Sequence, residues 1–228
     1  MLVEIIVTSL NEALLAQEYG ADRLELIHSF ADGGLSPKPE LIKQVCAAVA
    51  IPVSVMVRPH AQSFVYDQKT MTQIEQEIDF ILSDTKAANI VFGSLNYSNE
   101  INFGQLEKIL FQVAKSTVGV TFHRAIDVAK DTVAAFKELQ NYRGTNLQRV
   151  LSSGGKPTAL EGVNELIAME REANSGVKLL VGSGVKPSNA RQLIKLIGCQ
   201  EIHLGTGVRN SDGKLDKDLF LQLHQAVV

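Results

Sequence analysis

From one end of this chain to the other, short runs rich in Val, Ile and Leu alternate with longer segments of helical period. The runs are VEIIV (from Val3), RLELI (Arg23), VSVMV (Val53), NIVF (Asn89), VGVTF (Val118), RVL (Arg149), KLLV (Lys178) and EIHL (Glu201). The segments that follow them are NEALLAQEYG, PELIKQVCAAVA, MTQIEQEIDFILSD, FGQLEKILFQVAK, DTVAAFKELQ, ALEGVNELIAMERE, SNARQLIKLIG and KDLFLQLHQAVV. A strand that pairs parallel to its predecessor needs a crossover of a dozen or more residues, usually a helix, so this rhythm predicts a parallel sheet. Eight such units close a (β/α)8 barrel. The prediction is an α/β fold, a single-domain TIM barrel over residues 1–228, with an open doubly wound sheet as the alternative. No composition break or Gly/Ser linker marks a second domain. Pro39 suits a helix first turn, Gly20 and Gly198 suit helix ends, and Ser188 is expected to cap the helix after Pro187.

Composition removes several classes of function. A net charge of -3 and a pI near 6.0 offer no basic field for nucleic acid or an anionic membrane surface. Two cysteines, Cys46 and Cys199, are too few for a disulfide framework and suit a reducing cytosol. MLVEIIVTSLNE has Glu4 within its apolar run and lacks a basic n-region, so it does not read as a signal peptide. No apolar run approaches the ~20 residues that cross a bilayer. The expectation is a cytoplasmic protein with neither membrane nor nucleic-acid partner. A homodimer through an apolar helix face stays open, although no single helix singles itself out.

Side chains alternate along a strand, so parity divides the barrel interior from the face under the helices. Glu4, Ile6 and Thr8 share one face of strand 1, and Arg23, Glu25 and Ile27 one face of strand 2. Ser54, Met56 and Arg58 share a face in strand 3; Gly119, Thr121 and His123 in strand 5; Glu201 and His203 in strand 8. The opposite faces are aliphatic and belong under the helices. The mixed faces then line the barrel, and Glu4, Glu25, Arg58, His123 and His203 converge on one lumen. Adjacent strands lie ~4.8 Å apart, so Glu4 and Glu25 repel unless one is protonated, a cation intervenes, or Arg58 compensates.

Barrel enzymes carry their chemistry at the C-terminal strand ends. There TFHRAID sets His123 at the end of strand 5 and sends Arg124 and Asp127 onto the following loop. LSSGGKPTALEG follows strand 6, VGSGVKPSNA strand 7 and EIHLGTGVR strand 8. Glycines at these points let backbone N–H groups approach an anion. The candidate ligand contacts are therefore Arg58, Arg124, Ser153, Gly154, Gly182, Ser183, Gly184, His203, Gly205 and Thr206. Gly182–Gly184 and Gly205–Gly207 are the best phosphate-binding loop. Glu4, Glu25 and His123 are the candidate catalytic acid–base groups. Cys46 lies on an apolar helix face and Cys199 before strand 8, away from the mouth, and neither has a partner at metal-ligand spacing. Met56 is the only sulfur on the lumen face. No GxSxG elbow or strand-end lumen lysine argues for covalent catalysis. His28 and His60 fall on loops after strands 2 and 3, and His224 falls on the last helix.

Several stretches, in order over nearly the whole chain, resemble the copper homeostasis protein CutC family. They are GADRLEL (Gly20–Leu26), GGLSP (Gly33–Pro37), IPVSVMVRP (Ile51–Pro59), FVY (Phe64–Tyr66), VFGSL (Val91–Leu95), VTFHRAID (Val120–Asp127), SSGGKPTALEG (Ser152–Gly162) and EIH (Glu201–His203). The resemblance implies a cytoplasmic TIM barrel, a role in copper homeostasis, copper as a candidate bound ion, and pocket residues at Glu4, Glu25, Arg58, His123 and Arg124. Where some relatives carry cysteines after the two glutamates, this chain has Ile6 and Ile27. The strand 7 loop is VGSGV in place of a fuller glycine run, and LGTGVR displaces Arg209. Two functions are thus set against each other. One is copper homeostasis with copper binding. The other is a metal-independent enzyme that moves protons on a small phosphorylated, anionic metabolite.

Overall fold

The computed structural model of the chain describes residues 1–173 and 176–227. Val228, the last residue of the predicted closing helix, lies outside them. The strands are β1 (Leu2–Val7), β2 (Arg23–Leu26), β3 (Val53–Met56), β4 (Asn89–Phe92), β5 (Gly119–Phe122), β6 (Leu147–Ser152), β7 (Lys178–Val181) and β8 (Glu201–Leu204). They pair in parallel in chain order, and β8 closes onto β1. The helices are α1 (Leu10–Glu18), α2 (Pro39–Ala48), α3 (Gln68–Asp84), α4 (Phe103–Val113), α5 (Thr132–Leu139), α6 (Val163–Glu172), α7 (Pro187–Ile197) and α8 (Lys217–Val227). The fold is a (β/α)8 barrel. Among the described residues no helix is long and apolar enough to cross a membrane.

Most of the helices start at a polar side chain that accepts from a first-turn amide or at a proline that has none to satisfy. Ser9 Oγ accepts from Glu12 N, Asp67 Oδ1 from Thr70 N, Asn102 Oδ1 from Gln105 N and Asp131 Oδ1 from Ala134 N. Pro39 takes the first turn of α2, as its fixed φ and missing N–H favour. Gly198 ends α7 with φ 81°, a left-handed conformation that a Cβ disfavours. Ser188 does not cap α7. The helix begins one residue earlier, at Pro187, and the cap position is Lys186, whose N–H donates to Asn189 Oδ1 at 2.9 Å.

The alternation of side chains separates two cores. Val3, Ile5, Leu24, Val53, Val55, Ile90, Val120, Phe122, Val150, Leu179 and Ile202 face outward into a single apolar layer beneath the helices. Inside the barrel a separate, smaller cluster of Ile27, Met56 and Val91, with Ile6 against it, is the apolar filling. Below that cluster the interior is polar: Glu4, Arg23, Ser54, Asn89, Arg149 and Glu201 are all buried there. The functional groups therefore stand above a floor of paired charges and beside a small apolar plug.

Candidate active site

Register builds the deepest polar layer. Glu4 of β1 is level with Arg23 of β2 and with His203 of β8. Arg23 donates from Nε to Glu4 Oε2 and from Nη2 to Glu201 Oε2 at 2.7 Å. Arg149 donates to the same Glu201 oxygen at 3.1 Å and to Asn89 Oδ1 at 3.1 Å. Burial alone would raise the pKa of Glu4, but Arg23 and His203 hold it well below the usual carboxylate range. The compensation of the two lumen glutamates thus falls to Arg23 and His203, not to Arg58. Arg58 lies beyond the end of β3, where Nη1 donates to Gly34 O at 3.2 Å and the guanidinium stands 4.7 Å over the Phe64 ring.

His203 bridges this layer to the next. Its Nδ1 is 2.8 Å from Glu4 Oε1 and its Nε2 is 3.7 Å from Glu25 Oε2. Burial disfavours the imidazolium, yet Glu25 and Glu4 on either side raise the His203 pKa. Gly182 gives the ring room, since a Cβ there would lie 3.2 Å from His203 Cδ2 and 2.6 Å from Leu151 Cδ1. Glu25 is 3% exposed, and burial pushes its pKa up to about 7, with His203 opposing and Glu4 adding to the rise. Its Oε1 has no hydrogen-bond partner among the described residues.

His123, at the end of β5, is held in one tautomer. The N–H of Ala125 donates to Nδ1 at 3.2 Å, so the neutral ring carries its proton on Nε2. Burial, with Arg58 adding repulsion, drives its pKa down to about 3. The ring lies against the Gly93 backbone, where a Cβ would come within 2.5 Å of Nδ1, and it meets Phe64 edge to face at 5.0 Å. Nε2 is buried and unpartnered among the described residues.

The loop after β6 presents an anion nest that the chain itself fills. The amides of Ser153 and Gly155 both donate to Asp127 at 3.0 Å, and the hydroxyls of Ser152 and Ser153 donate at 2.6 and 2.9 Å. Asp127 sits in the 3-10 turn Arg124–Val128, and Arg124 Nε donates to its Oδ2 at 2.8 Å while Arg124 Nη2 donates to Ser153 Oγ at 2.9 Å. The polar cluster of TFHRAID therefore splits in two. His123 faces the lumen, and Asp127 staples the neighbouring loop and braces Arg124.

One pocket of about 520 Å3 opens at this end of the barrel. Of the sequence candidates, Glu25, Arg58, His123, Arg124, Ser183, Gly184, His203, Gly205 and Thr206 all line it. Glu4 lies beneath it, tied to Arg23 and His203. Ser153 and Gly154 face Asp127 and the Gly162 backbone instead, and Gly182 spaces His203. Ser183 holds φ 73°, a strained value for a residue with a side chain, fixed by its hydroxyl donating to Pro157 O at 2.7 Å. Arg209 is outside the pocket: it pairs with Glu12 and stacks 4.6 Å over Phe30.

The sequence model of the CutC family matches residues 1–208. A family protein CutC of Histophilus somni is 35% identical over 202 residues, 89% of this chain and 81% of that protein. The chain belongs to the CutC family. A Drosophila melanogaster CutC relative, named a copper homeostasis protein cutC homolog, is 33% identical over 202 residues, 88% of this chain and 75% of that protein. The crystal structure of the CutC protein from Streptococcus agalactiae superposes with a TM-score of 0.80 at 26% identity, covering 90% of this chain and 98% of that one.

The family name raises copper, and this CutC chain's donor set does not suit Cu(I). Soft thiolates and thioethers are the ligands Cu(I) favours. Cys46 and Cys199 are buried in the layer outside the barrel, where burial pushes their thiols up to about 11 and about 12. Among the described residues Met56 is the only sulfur that lines the pocket. Oxygen and nitrogen atoms of Glu4, Glu25 and His203 do come within 4.8 Å of one another. They are hard or borderline donors, and the Arg23 guanidinium already bonds the Glu4 carboxylate in that space. Sequence reasoning missed Arg23 as the counter-charge, Gly93 as the bed of His123, and Asp127 as the filler of the β6 nest. The first had a signal, since Arg23 shares the lumen face with Glu25. The other two depend on contacts between strands that no local pattern encodes.

Proposed function

We propose that this CutC-family chain binds a small phosphorylated or otherwise anionic metabolite at the barrel mouth and moves protons on it, and that its part in copper homeostasis is indirect. One observation carries the reading. A buried carboxyl with a pKa near 7, Glu25, shares a single pocket with two guanidinium groups and the turns after β7 and β8. A general acid or base works best with a pKa near the operating pH. Arg58 and Arg124 supply attraction for an anion, and Ser183–Gly184 and Gly205–Thr206 supply the small residues that let backbone N–H groups approach one. A volume of about 520 Å3 lies within the range of small-molecule sites. Glu4 and His203 then serve Glu25 from below, as positioning groups that set its charge. With its two free, buried cysteines, the chain is proposed to work in the cytoplasm.

Anaerobic thermal melting tests this, with Cu(I) in one series and a panel of sugar phosphates in the other. A ligand at a hundredfold excess over its Kd adds ~2.7 kcal/mol to native-state stability. A midpoint raised by a sugar phosphate, and no longer raised in Arg124→Ala, supports the reading. A midpoint raised by Cu(I) alone sinks it and restores direct copper binding.

A further inference from the structure

We propose that the substrate of this pocket is an α-hydroxycarbonyl compound, and that the reaction is proton transfer through an enediolate, with Glu25 as the base and His123 as the neutral hydrogen-bond donor to the developing oxyanion. The proposal rests on the reading of the pocket given above and names its reaction class.

Two side chains that line the pocket, each only 3% exposed, carry a buried polar atom with no partner among the described residues: Glu25 Oε1 and His123 Nε2. Leaving a buried polar atom unpaired is costly, so each asks for a ligand group. They ask for opposite things. The Glu25 oxygen takes a proton, while the His123 nitrogen gives a hydrogen bond, because the Ala125 N–H fixes the lone pair on Nδ1. A ligand that satisfies both presents an acidic hydrogen beside an oxygen acceptor, as the carbon next to a carbonyl does. The surroundings favour carbon acidity over hydrolysis. Ile6, Ile27, Met56 and Leu151 line the same pocket, Glu25 is 3% exposed, and a poorly solvated carboxylate is the stronger base toward C–H. The pocket-lining residues include no cysteine, the chain has no GxSxG elbow, and Lys156, the amine on the lining, is half exposed and turned to Glu165 at 3.8 Å.

The step balances without a redox partner. Glu25 removes the proton from the hydroxyl-bearing carbon next to the carbonyl. The C–H electron pair becomes the new C=C bond, and the carbonyl π pair moves onto oxygen, which His123 Nε2–H holds. The glutamic acid returns its proton to the former carbonyl carbon, and the hydroxyl proton passes to the first oxygen. The product is the isomeric hydroxycarbonyl. His123 suits this donor role because it is neutral and rigid. Phe64 meets it edge to face at 5.0 Å, and Gly93 leaves no Cβ to displace the ring. A neutral donor aimed at a developing oxyanion is a known means of stabilising one.

Calorimetric titration with three probes tests the proposal: inorganic phosphate, 2-phosphoglycolate, and phosphoglycolohydroxamate, whose paired oxygens mimic an enediolate. On the wild-type protein the hydroxamate is expected to bind at least tenfold more tightly than 2-phosphoglycolate. In His123→Ala that advantage should vanish while 2-phosphoglycolate still binds. If the two organic probes bind equally to the wild type, or the advantage survives in His123→Ala, the reaction class is wrong and anion binding stands. If none of the three binds, the anion-binding reading fails together with it. Should His123→Ala not fold, nitrogen NMR of the wild type decides. A neutral Nε2–H ring whose proton moves downfield with the hydroxamate supports the donor role. An imidazolium, or a ring protonated on Nδ1, overturns it.

Discussion

Glu25 and Arg23 are two residues apart on one strand and share the lumen; burial disfavours the charge of both, and their neighbours decide differently. Arg23 stands between Glu4 and Glu201 and keeps its charge. Glu25, one layer higher, is buried, has His203 as its main cationic neighbour with a smaller pull from Arg23, and keeps its proton up to about pH 7. Folding therefore raises its pKa above the unfolded value of 4.5. The folded state binds the proton more strongly, so this group's contribution is fully present below pH 4.5 and is lost as pH rises through about 7. Urea denaturation at pH 5 and pH 8 should show Glu25→Gln gaining on wild type as pH rises, by more than ~1.4 kcal/mol, the equivalent of one pKa unit. A gap independent of pH would show that the carboxyl titrates normally. Arg23→Met leaves Glu4 and Glu201 short of their shared cation and should cost about 3–5 kcal/mol. Lys43→Ala removes the exposed bridge to Asp84 and the contact of its ammonium with the Phe80 ring, both at the surface, and should cost far less in the same assay. The mixed parity of the strands made the lumen set legible from the sequence. The division of labour within it was not, because it depends on how β1, β2 and β8 align.

At the scale of elements, the helices were legible because caps and apolar stripes are local, and Pro39 and Gly198 stand where their backbone preferences put them. Loops were harder to read. SSGG after β6 has the glycines and hydroxyls of an anion site, and its occupant is the Asp127 carboxylate from the turn after β5. Only the fold brings residues 127 and 153 together. This staple also points Arg124 at the pocket, so a structural bond serves the proposed site. Asp127→Ala should expose the Ser153 and Gly155 amides and speed their hydrogen exchange, with a stability loss of about 2 kcal/mol for several charge-assisted bonds. Unchanged exchange at those two amides would mean that the loop holds its shape without the carboxylate.

For the molecule as a whole, closure of β8 onto β1 is what assembles the site, since His203 and Glu4 lie far apart in sequence and 2.8 Å apart in space. The last helix guards that seam. His224 of α8 lies 2.9 Å from Tyr19 O, and Phe220 packs edge to face on Tyr19 at 5.4 Å. The family match ends at residue 208, yet Phe220 and Leu223 of α8 are part of the buried core. Eight repeats of strand and helix sufficed to read the architecture. The pocket's contents were partly readable, since nine of its linings were candidates from parity and loop composition alone. The proposed ligand of this mouth is an anion rather than copper. The most direct measurement is an X-ray structure from crystals grown in phosphate and soaked anaerobically with Cu(I), with data recorded at the copper edge. An anion against Ser183–Gly184 and Gly205–Thr206 is expected, with no anomalous peak at Met56, Glu25 or His203. Empty loops beside a copper peak in the barrel would contradict the proposal.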